Sequence, residues 1–289
     1  MLTVKRVKRR IRKIRNRLAR RFFDTRYGRE LLVNVLPARL LTMTTDCSDH
    51  LMTFSPHDYI GRKIFRKGHF EREHVDRLLA LLKTRGLWHE DTVLLELGGN
   101  IGTQTVYFGL SKAYNRIVSI EPDPRNFELL RTNITQNGLD GMVTLVNCAA
   151  GETDGEIAFF QHQDNHGKSS ALRQSPSDRE ISVPARPVST ILAEAGIAPQ
   201  SVGLVWMDIE GYEPVACRSM EALMALKVPL YMEFSPAFYG PEGSAEFVHY
   251  LAGFYTDCLV FTEDDDPVAL KVAKMPIDRV QYDVLLLPS

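Results

Sequence analysis

The sequence is poor in cysteine and has no long apolar segment. Its four cysteines, Cys47, Cys148, Cys217 and Cys258, lie far apart with no Cys-x-x-Cys or Cys/His pairing. This spacing argues against a disulfide framework and against the familiar zinc sites, whereas free thiols suit a reducing compartment. No apolar run approaches the roughly 20 residues of a membrane-spanning helix. No apolar stretch follows the basic start of the chain, so a secretory signal is not expected.

Acidic residues are absent from the first 21 positions, although the whole chain is nearly neutral. The chain holds 35 Lys and Arg against 36 Asp and Glu, a formal net charge of −1. Eleven of the basic residues lie within residues 1–21, so residues 22–289 hold 24 basic and 36 acidic groups. The sequence therefore joins a basic arm of +11 to an acidic body of −12.

The apolar residues of the arm fall on one helical stripe. They are Val4, Val7, Ile11, Ile14, Leu18 and Phe22. Their spacing of three or four residues predicts an amphipathic basic helix about 30 Å long. Such a helix suits an anionic membrane surface, where each Lys or Arg adds about 1 kcal/mol. We therefore predict a cytoplasmic protein whose residues 1–23 contact the inner face of a membrane. A disordered polybasic tail, or a helix packed on the body or on a partner, are the alternatives.

Three regions follow from the patterning: the arm (1–30), a helical or irregular lead-in (31–90) and an α/β domain (91–289). The lead-in is predicted to be irregular until a helix near 71–85. The α/β domain has strand-like runs at 92–97, 116–121, 142–149, 202–207, 228–233, 258–261 and 282–287. Helical stretches are predicted at 101–112, 124–136, 213–226 and 244–254. This alternation predicts a mostly parallel sheet. An insertion, 152–187, places a polar loop between strand-like runs at 156–162 and 181–186.

A glycine-rich turn follows the first strand of this domain. The strand carries Glu96 near its end, and Gly98 and Gly102 then open a helix. Glycine allows close backbone approach to a ligand, and a helix N-terminus offers unpaired N–H groups, so a nucleotide-like cofactor fits here. Glu121 ends the next strand, where an acid binds two ribose hydroxyls. Two acids around one glycine turn favour S-adenosylmethionine, which carries a sulfonium and an ammonium. The alternative is that the glycines serve turn geometry alone.

Five segments together resemble the FkbM-type methyltransferase family. Residues 96–102 (ELGGNIG) are similar to its D-x-G-A-N-x-G signature, and residues 121–124 (EPDP) to its E-P-N-P. Residues 68–71 (GHFE) resemble G-x-x-E, and residues 208–213 (DIEGYE) resemble D-V-E-G-x-E. The loop 167–170 (GKSS) lies between them in the family's order. Jointly these matches are specific.

The resemblance implies a class I methyltransferase fold and O-methylation with S-adenosylmethionine. Its sheet has seven strands, mostly parallel, and the last is antiparallel. Acceptors in the family are often sugars or polyketides. This chain departs from the pattern at three positions: Glu96 replaces the usual Asp, Gly99 the usual Ala, and Trp206 the usual Lys. The glycine turn and the resemblance together assign cofactor binding to Glu71, Glu96, Gly98, Asn100, Gly102, Glu121, Asp123, Ala150 and Asp208.

A hydroxyl acceptor is a poor nucleophile, so a base or a metal must assist methyl transfer. Asp208, Glu210 and Glu233 follow strands that end at the cofactor edge, and crowded carboxylates raise each other's proton affinity. The alternative is that the acids at 208 and 210 have only a structural role, because negative charge stabilises the start of the next helix. No histidine accompanies the three acids at ligand spacing, so no metal is predicted. The predicted catalytic residues are Asp208, Glu210, Glu233 and His166; Asn165, Ser169, Ser170 and Tyr212 are predicted to bind the acceptor.

The predicted function is therefore O-methylation of a hydroxyl on a saccharide, a glycolipid or a related small molecule. The main alternative is an RNA or other nucleic-acid methyltransferase that tracks phosphates with its basic arm. Exocyclic-amine methylation usually carries an N-P-P-Y-like turn, whereas residues 208–212 read DIEGY. The acidic body would also repel phosphate, so a nucleic-acid partner is disfavoured.

Overall fold

The computed structural model describes residues 4–261 and 266–288. The chain divides into two compact units at the boundary between Phe70 and Glu71. Residues 1–3, the start of the predicted arm, lie outside the described residues. Within the described ranges, no helix combines the length and the apolar character needed to cross a membrane.

The first unit begins with α1 (Val4–Phe23), which confirms the predicted arm helix. It continues with α2 (Arg26–Asn34), the hairpin of β1 (Met43–Asp46) and β2 (Leu51–Phe54), and α3 (Tyr59–Lys67). The prediction of irregular structure before the helix near 71–85 was therefore wrong.

Side-chain caps explain why the short helices of the first unit form. Thr25 accepts the Gly28 N–H and begins α2, and Asp58 accepts the Ile60 and Gly61 N–H groups and begins α3. Helices of nine residues and strands of four are too short to show a clear apolar period. These elements therefore escaped the sequence pattern.

The second unit is built on a mostly parallel sheet of eight described strands. The order is β12-β11-β13-β10-β9-β3-β4-β5. Strands β5, β4, β3, β9 and β10 run parallel, and β13 lies antiparallel between β10 and β11. The strands are β3 (Val93–Leu97), β4 (Arg116–Ile120), β5 (Val143–Val146), β9 (Val202–Met207), β10 (Leu230–Phe234), β11 (Asp257–Phe261), β12 (Val268–Lys271) and β13 (Tyr282–Leu287).

This order confirms the predicted α/β class I methyltransferase arrangement, with its antiparallel last strand. The sheet has one strand more than the seven predicted, because β12 pairs antiparallel with the outer side of β11. β12 is mostly exposed, so it lacks the apolar signature of the central strands.

The insertion contributes a separate three-stranded sheet, β6-β8-β7. Its strands are β6 (Ala149–Ala150), β7 (Gly155–Gln161) and β8 (Arg179–Arg186). The strands predicted at 156–162 and 181–186 are thereby confirmed as an antiparallel pair. The run predicted at 142–149 is divided instead: its first part is β5 in the central sheet, and Ala149 begins β6 in the small sheet.

Helices cover the central sheet. They are α4 (Arg72–Thr84), α5 (Thr103–Ser111), α6 (Pro124–Gln136), α7 (Val188–Glu194), α8 (Glu213–Ser219), α9 (Glu221–Ala225) and α10 (Pro236–Ala252). The helix predicted at 213–226 breaks at Met220 into α8 and α9, and α7 was not predicted. Helix α10 begins at Pro236, ahead of the predicted start at 244, and kinks at Gly240, where φ is +68°.

The central strands are buried, as a sheet covered on both faces requires. All five residues of β3 are buried, and β9 is buried at all but one position. The parallel strands place their carboxyl ends at one edge of the sheet. That edge carries the glycine turn after β3, Glu121 after β4, Asp208 after β9 and Glu233 in β10.

Candidate active site

The turn after β3 requires glycine at its close approaches. Gly98 has φ +89°, and a Cβ there would lie 1.9 Å from the carbonyl oxygen of Asp208. Gly102 also has φ +89°, and its Cβ would meet Leu130 of α6 at 2.8 Å. The glycines therefore let the turn pack directly against the end of β9 and against α6. This contact brings the predicted cofactor turn next to the first of the predicted catalytic acids.

Gly99 explains one departure from the family pattern. A Cβ at this position would lie 2.3 Å from the hydroxyl oxygen of Ser119. That hydroxyl donates a hydrogen bond of 2.6 Å to Glu96. The alanine of the family signature therefore does not fit here while Ser119 holds Glu96.

Glu96 is a buried carboxylate with one oxygen left for a ligand. Its side chain accepts hydrogen bonds from Thr105 (2.5 Å) and Ser119 (2.6 Å) at Oε2. Its Oε1 is buried with no hydrogen-bond partner among the described residues. Burial raises the pKa of Glu96 from 4.5 to about 7, and the two hydroxyls oppose that rise. A cationic group bound at Oε1 would supply the missing partner.

Glu121 and Asp123 form the start of α6. Glu121 accepts the N–H groups of Asn100 (2.7 Å) and Asp123 (2.8 Å). Burial, and secondarily the negative charge of Asp123, raises the Glu121 pKa to about 8. Asp123 caps α6 and binds Arg125 and Gln161, so its oxygens are already engaged within the protein. Glu121 keeps lone pairs for two ligand hydroxyls, because each oxygen accepts one bond.

The structure describes the three other predicted cofactor residues separately. Asn100 has φ +48° in the glycine turn, and its side-chain oxygen is buried without a hydrogen-bond partner among the described residues. Glu71 precedes α4 with φ +55°, within electrostatic reach of Tyr231. Ala150 is buried in β6. The cofactor role of each stays a prediction.

Asp208, Glu210 and Glu233 meet at the predicted place. One carboxylate oxygen from each lies within 4.8 Å of the others. Asp208 and Glu233 share a hydrogen bond, and burial followed by the charge of Asp208 raises the pKa of Glu233 to about 11. Burial also raises the pKa of Asp208. We therefore describe Glu233 as the protonated partner, which donates to the Asp208 carboxylate.

Asp283 is a fourth acid that the sequence analysis missed. It lies on β13 directly opposite Glu233 of β10. The Tyr231 hydroxyl donates to it, and the imidazole Nδ1 of His74 lies 3.9 Å from its Oδ2. Burial raises the pKa of Asp283, and the nearby charge of His74 opposes the rise. Only the register between β10 and an antiparallel last strand could have revealed this neighbour.

Glu210 occupies a strained position on the turn after β9. Its φ is +53°, in the left-handed region that disfavours residues with a Cβ. Burial, and then the charges of Asp208 and Glu213, raises its pKa to about 8. Glu213 is fully buried at the start of α8, where it accepts the Gly211 N–H at 3.2 Å and the Tyr239 hydroxyl. Burial raises the Glu213 pKa to about 7.

The two predicted acceptor-binding serines are engaged within the protein. The Ser170 hydroxyl donates to the carbonyl oxygen of Glu210 at 2.7 Å and accepts the Leu172 N–H at 3.0 Å. The Ser169 hydroxyl lies 3.2 Å from the guanidinium of Arg125, which donates to it, and it accepts the His162 N–H at 3.2 Å. These bonds use much of the capacity that a bound acceptor would need, and direct acceptor contact stays a prediction.

The remaining predicted residues lie on the insertion and on α8. His166 is in a 3₁₀ turn, where its carbonyl accepts the Asn126 side-chain amide of α6 at 3.2 Å. Asn165 caps that turn by accepting the Gly167 N–H at 3.1 Å. Tyr212 immediately precedes α8, and its ring lies within electrostatic reach of Glu152 and Arg218. The roles of these three residues stay predictions.

Trp206 is part of an aromatic floor beneath the acids. Its ring stacks on Tyr231 with centroids 4.3 Å apart and meets the edge of Phe108 at 5.4 Å. It is only 5% exposed. Tyr231 pairs with Trp206 in register and lies two positions before Glu233 in β10. The tryptophan therefore replaces the family's lysine with apolar packing, which leaves the neighbouring acids without that cation.

Both a cationic cofactor and a metal ion find suitable oxygens at this edge. The unpaired Glu96 oxygen and the glycine turn fit the positively charged part of S-adenosylmethionine. Asp208, Glu210 and Glu233 offer oxygen ligands of the type that Mg²⁺ or Ca²⁺ takes. The expectation of a metal-free site stays a prediction.

Comparison with known proteins places this site in a family. The methyltransferase FkbM domain matches residues 96–248. The 2-O-methyltransferase NoeI of Sinorhizobium fredii is 30% identical over 161 residues, covering 50% of this chain and 64% of that protein. Methyltransferase 1 of Beauveria bassiana is 24% identical over 149 residues, covering 46% of this chain and 59% of that protein. The chain thus spans about six tenths of the length of these curated relatives.

Solved methyltransferase structures are similar at lower identity. The methyltransferase FkbM from Methylobacillus flagellatus is 18% identical with a TM-score of 0.45, covering 79% of this chain and 53% of that chain. The O-methyltransferase from Bacillus cereus, in complex with SAH, is 11% identical with a TM-score of 0.43, covering 75% of this chain and 82% of that chain. The domain match extends over more than half of the sequence and includes Glu96, Glu121 and Glu210. On that match, the protein belongs to the methyltransferase FkbM family.

Proposed function

We propose that the protein transfers a methyl group from S-adenosylmethionine to a hydroxyl of a saccharide, a glycolipid or a related small molecule. The observation that carries this proposal is that a buried carboxylate with an unpaired oxygen and a cluster of three carboxylates lie at the same edge of the sheet. Glu96 has an unpaired buried oxygen beside the glycine turn, and the end of β9 packs directly against that turn. Family membership and a relative named as a 2-O-methyltransferase support O-methylation.

The cofactor supplies a methyl group on a positively charged sulfur. In our proposal Glu96 holds the cationic part of the molecule and Glu121 accepts two ribose hydroxyls. Glycine at 98 and 102 lets the backbone approach closely without a clash. Burial makes these interactions stronger than they would be in water, because the local dielectric is low. Holding the cofactor at this edge would place it beside the strand ends that carry the acids, where alignment with an acceptor would raise the rate of transfer.

The acids after β9 and in β10 would handle the acceptor proton. As the new carbon–oxygen bond forms, the carbon–sulfur bond breaks and sulfur keeps the electron pair, giving S-adenosylhomocysteine. The acceptor hydroxyl loses its proton to Glu210, whose pKa of about 8 suits a general base near neutral pH. The proton shared by Asp208 and Glu233 lets this pair both donate to and accept from the acceptor. His166 on the insertion is a second proposed base.

The proposed acceptor class rests on chemistry rather than on shape. Carboxylates and a shared proton bind neighbouring hydroxyls well, and saccharides offer such hydroxyls. The aromatic floor of Trp206 and Tyr231 is buried beneath the acids, so polar groups dominate the surface that meets the acceptor. A screen of saccharide and glycolipid extracts with labelled S-adenosylmethionine tests the class directly. Transfer of label to nucleic acid instead would support the alternative function.

Isosteric variants of the acids test the proposed base. We expect Glu210→Gln and Asp208→Asn to lower the methyl-transfer rate by at least about a hundredfold. Affinity for S-adenosylhomocysteine should stay within about threefold in Glu210→Gln, because Glu210 is not among the predicted cofactor residues. The wild-type rate should rise with pH and level off above about 8, as Glu210 loses its proton. Full activity in both variants would contradict the assignment of the base.

We also propose that α1 holds the enzyme at the anionic inner face of a membrane. Its apolar stripe is exposed from Val7 to Phe22, with Ile11 61% and Leu18 60% exposed. Most of the other residues of the helix are Lys or Arg, and its first turn has no acid. An exposed apolar stripe flanked by positive charge is complementary to anionic headgroups above an apolar interior. This location would suit a glycolipid acceptor.

A further inference from the structure

The insertion reaches the acid-bearing turn through one buried hydroxyl. Ser170 is 1% exposed, and its Oγ donates a 2.7 Å hydrogen bond to the carbonyl oxygen of Glu210. Main-chain bonds with Phe160 of β7 hold Ser170 itself in both directions, at 2.8 and 3.1 Å. Although Ser170 lies in the polar loop of the insertion, its backbone is therefore fixed against strand β7.

The turn that receives this bond cannot relax freely. Glu210 has φ +53° and Gly211 has φ +95°. A residue with a Cβ disfavours the left-handed region, so surrounding contacts must hold Glu210 there. Gly211 lies so close to Leu172 of the insertion and Phe238 of α10 that a Cβ would meet them at 2.7 to 2.8 Å. The polar part of this restraint consists of the Ser170 bond to the Glu210 carbonyl and the bond from the Gly211 N–H to Glu213, 3.2 Å long.

The other side of the insertion is anchored at the cofactor edge. The Arg125 guanidinium donates to the Ser169 hydroxyl (3.2 Å) and to the His162 carbonyl (3.3 Å), and it pairs with the buried Asp123 at 2.9 Å. Ser169 and Ser170 are neighbours in sequence. A short path of hydrogen bonds thus connects the start of α6 with Glu210.

We propose that Ser170 is a positioning residue that fixes the backbone of Glu210 in its left-handed conformation. The restraint keeps the Glu210 carboxylate within 4.8 Å of the acidic oxygens of Asp208 and Glu233. The catalytic value of this position rests on the proposed function, whereas the restraint itself is a property of the fold. The hydroxyl that sequence reasoning assigned to the acceptor instead acts through Glu210.

Apart from the bond between the Gly211 N–H and Glu213, the other groups around Glu210 act on its side chain. They are Asp208, Glu213 and Glu233, which repel it, Lys168, which attracts it, and Gln174, which hydrogen-bonds to it. In the described part of the chain, none of these side chains donates a hydrogen bond to the Glu210 carbonyl oxygen, so none takes the place of Ser170. Removing the Ser170 hydroxyl should therefore release the turn while these side chains stay in place.

Amide hydrogen exchange of the full chain tests the restraint without an acceptor. We expect Ser170→Ala to accelerate exchange across residues 209–212 by about three- to tenfold, the effect of one lost hydrogen bond. Exchange in β8 should remain unchanged. Ser170→Thr keeps the hydroxyl and should restore the wild-type rate. The matched control is Ser182→Ala, which removes a serine that bonds Glu156 on the exposed side of the same hairpin.

A catalytic readout separates positioning from general loosening. With labelled S-adenosylmethionine and the saccharide extract, Ser170→Ala should lower the maximal rate about tenfold and leave S-adenosylhomocysteine affinity within threefold. If Ser170→Ala does not fold, Ser170→Cys carries the test, because its thiol is a similar size but a weak donor.

Unchanged amide exchange at residues 209–212 in the variant that folds would overturn the proposal. Equal acceleration of that exchange by Ser182→Ala would also overturn it, as would failure of Ser170→Thr to restore the wild-type exchange rate. Absence of any S-adenosylhomocysteine binding in the wild type would instead contradict the proposed function, while the exchange result would still decide the role of Ser170.

Discussion

At the scale of single residues, the site is defined by carboxylates placed where folding alone would not favour them. Glu96 and Glu121 are 1% and 4% exposed, and burial raises the pKa of each. Buried acids without a cationic partner reduce stability, because a charge loses its hydration. Such groups are typical of sites where a positively charged ligand completes the structure.

Gly99 gives a prediction that distinguishes this chain from the family pattern. We expect Gly99→Ala to lower the free energy of unfolding by about 1–3 kcal/mol, because the new Cβ would lie 2.3 Å from the Ser119 hydroxyl. Chemical denaturation of the wild type, the single variants and the double variant with Ser119→Ala measures the coupling. The double variant should lose less stability than the sum of the two singles. Strict additivity would show that the two positions do not conflict.

The sequence could predict which acids lie close together when their motifs follow parallel strands. The grouping of Asp208, Glu210 and Glu233 could be anticipated, because parallel strands end at one edge. The place of Asp283 could not be anticipated, since it depends on the register of an antiparallel strand that pairs with β10 from fifty positions further along the chain. The bond from Ser170 to Glu210 likewise depends on how the insertion folds back.

At the scale of elements, long periodic segments were predictable and short capped ones were not. The arm helix, the central strands and α6 follow clear apolar periods. The β1–β2 hairpin and the edge strand β12 have four residues per strand, which is too few for a period to show. Helix α10 extends across Gly240, whose φ of +68° interrupts the helical pattern.

The arm helix carries its own prediction. We expect the full chain to bind vesicles containing anionic lipid at low salt and to ignore neutral vesicles, because the helix combines basic residues with an exposed apolar stripe. Removing residues 1–23 should abolish this binding and leave cofactor affinity unchanged. Co-sedimentation with vesicles measures it.

A double variant separates the apolar contribution of the arm to vesicle binding from its electrostatic contribution. Ile11→Asn with Leu18→Asn should weaken vesicle binding at least about tenfold while every positive charge remains. The matched control, Asn16→Gln, changes a polar position of the same helix. Failure of the full chain to bind anionic vesicles at low salt would contradict the membrane proposal, and preference for single-stranded RNA would support the nucleic-acid alternative.

At the scale of the whole molecule, the near-neutral net charge is the sum of a basic arm and an acidic body, to which we assign different functions. The basic arm lies outside the family match, whereas the acidic body contains it. Several of the body's acids are at the candidate site and are buried there, so they cannot be treated as solvated surface charge. In our account the arm sets the location of the enzyme and the body performs the chemistry.

The buried acids predict how stability of the ligand-free protein depends on pH. The pKa values of Glu96, Glu121, Glu210 and Glu213 rise from 4.5 to between about 7 and 8 on folding. The folded state therefore holds protons that the unfolded state releases above 4.5, and stability falls as pH rises toward 8. We expect the melting temperature to be at least about 5 °C lower at pH 8.5 than at pH 6. A higher melting temperature at pH 8.5 would contradict these shifts.

The most direct test of the central claim is calorimetric titration of S-adenosylmethionine into the wild type and into Glu96→Gln at pH 7.5. The account predicts binding to the wild type with release of up to about one proton, because a cation favours ionised Glu96 and Glu121. It predicts at least tenfold weaker binding to the glutamine variant, which keeps the shape of the side chain but loses its charge. No binding to the wild type at millimolar cofactor, or equal affinity in both proteins, would contradict it.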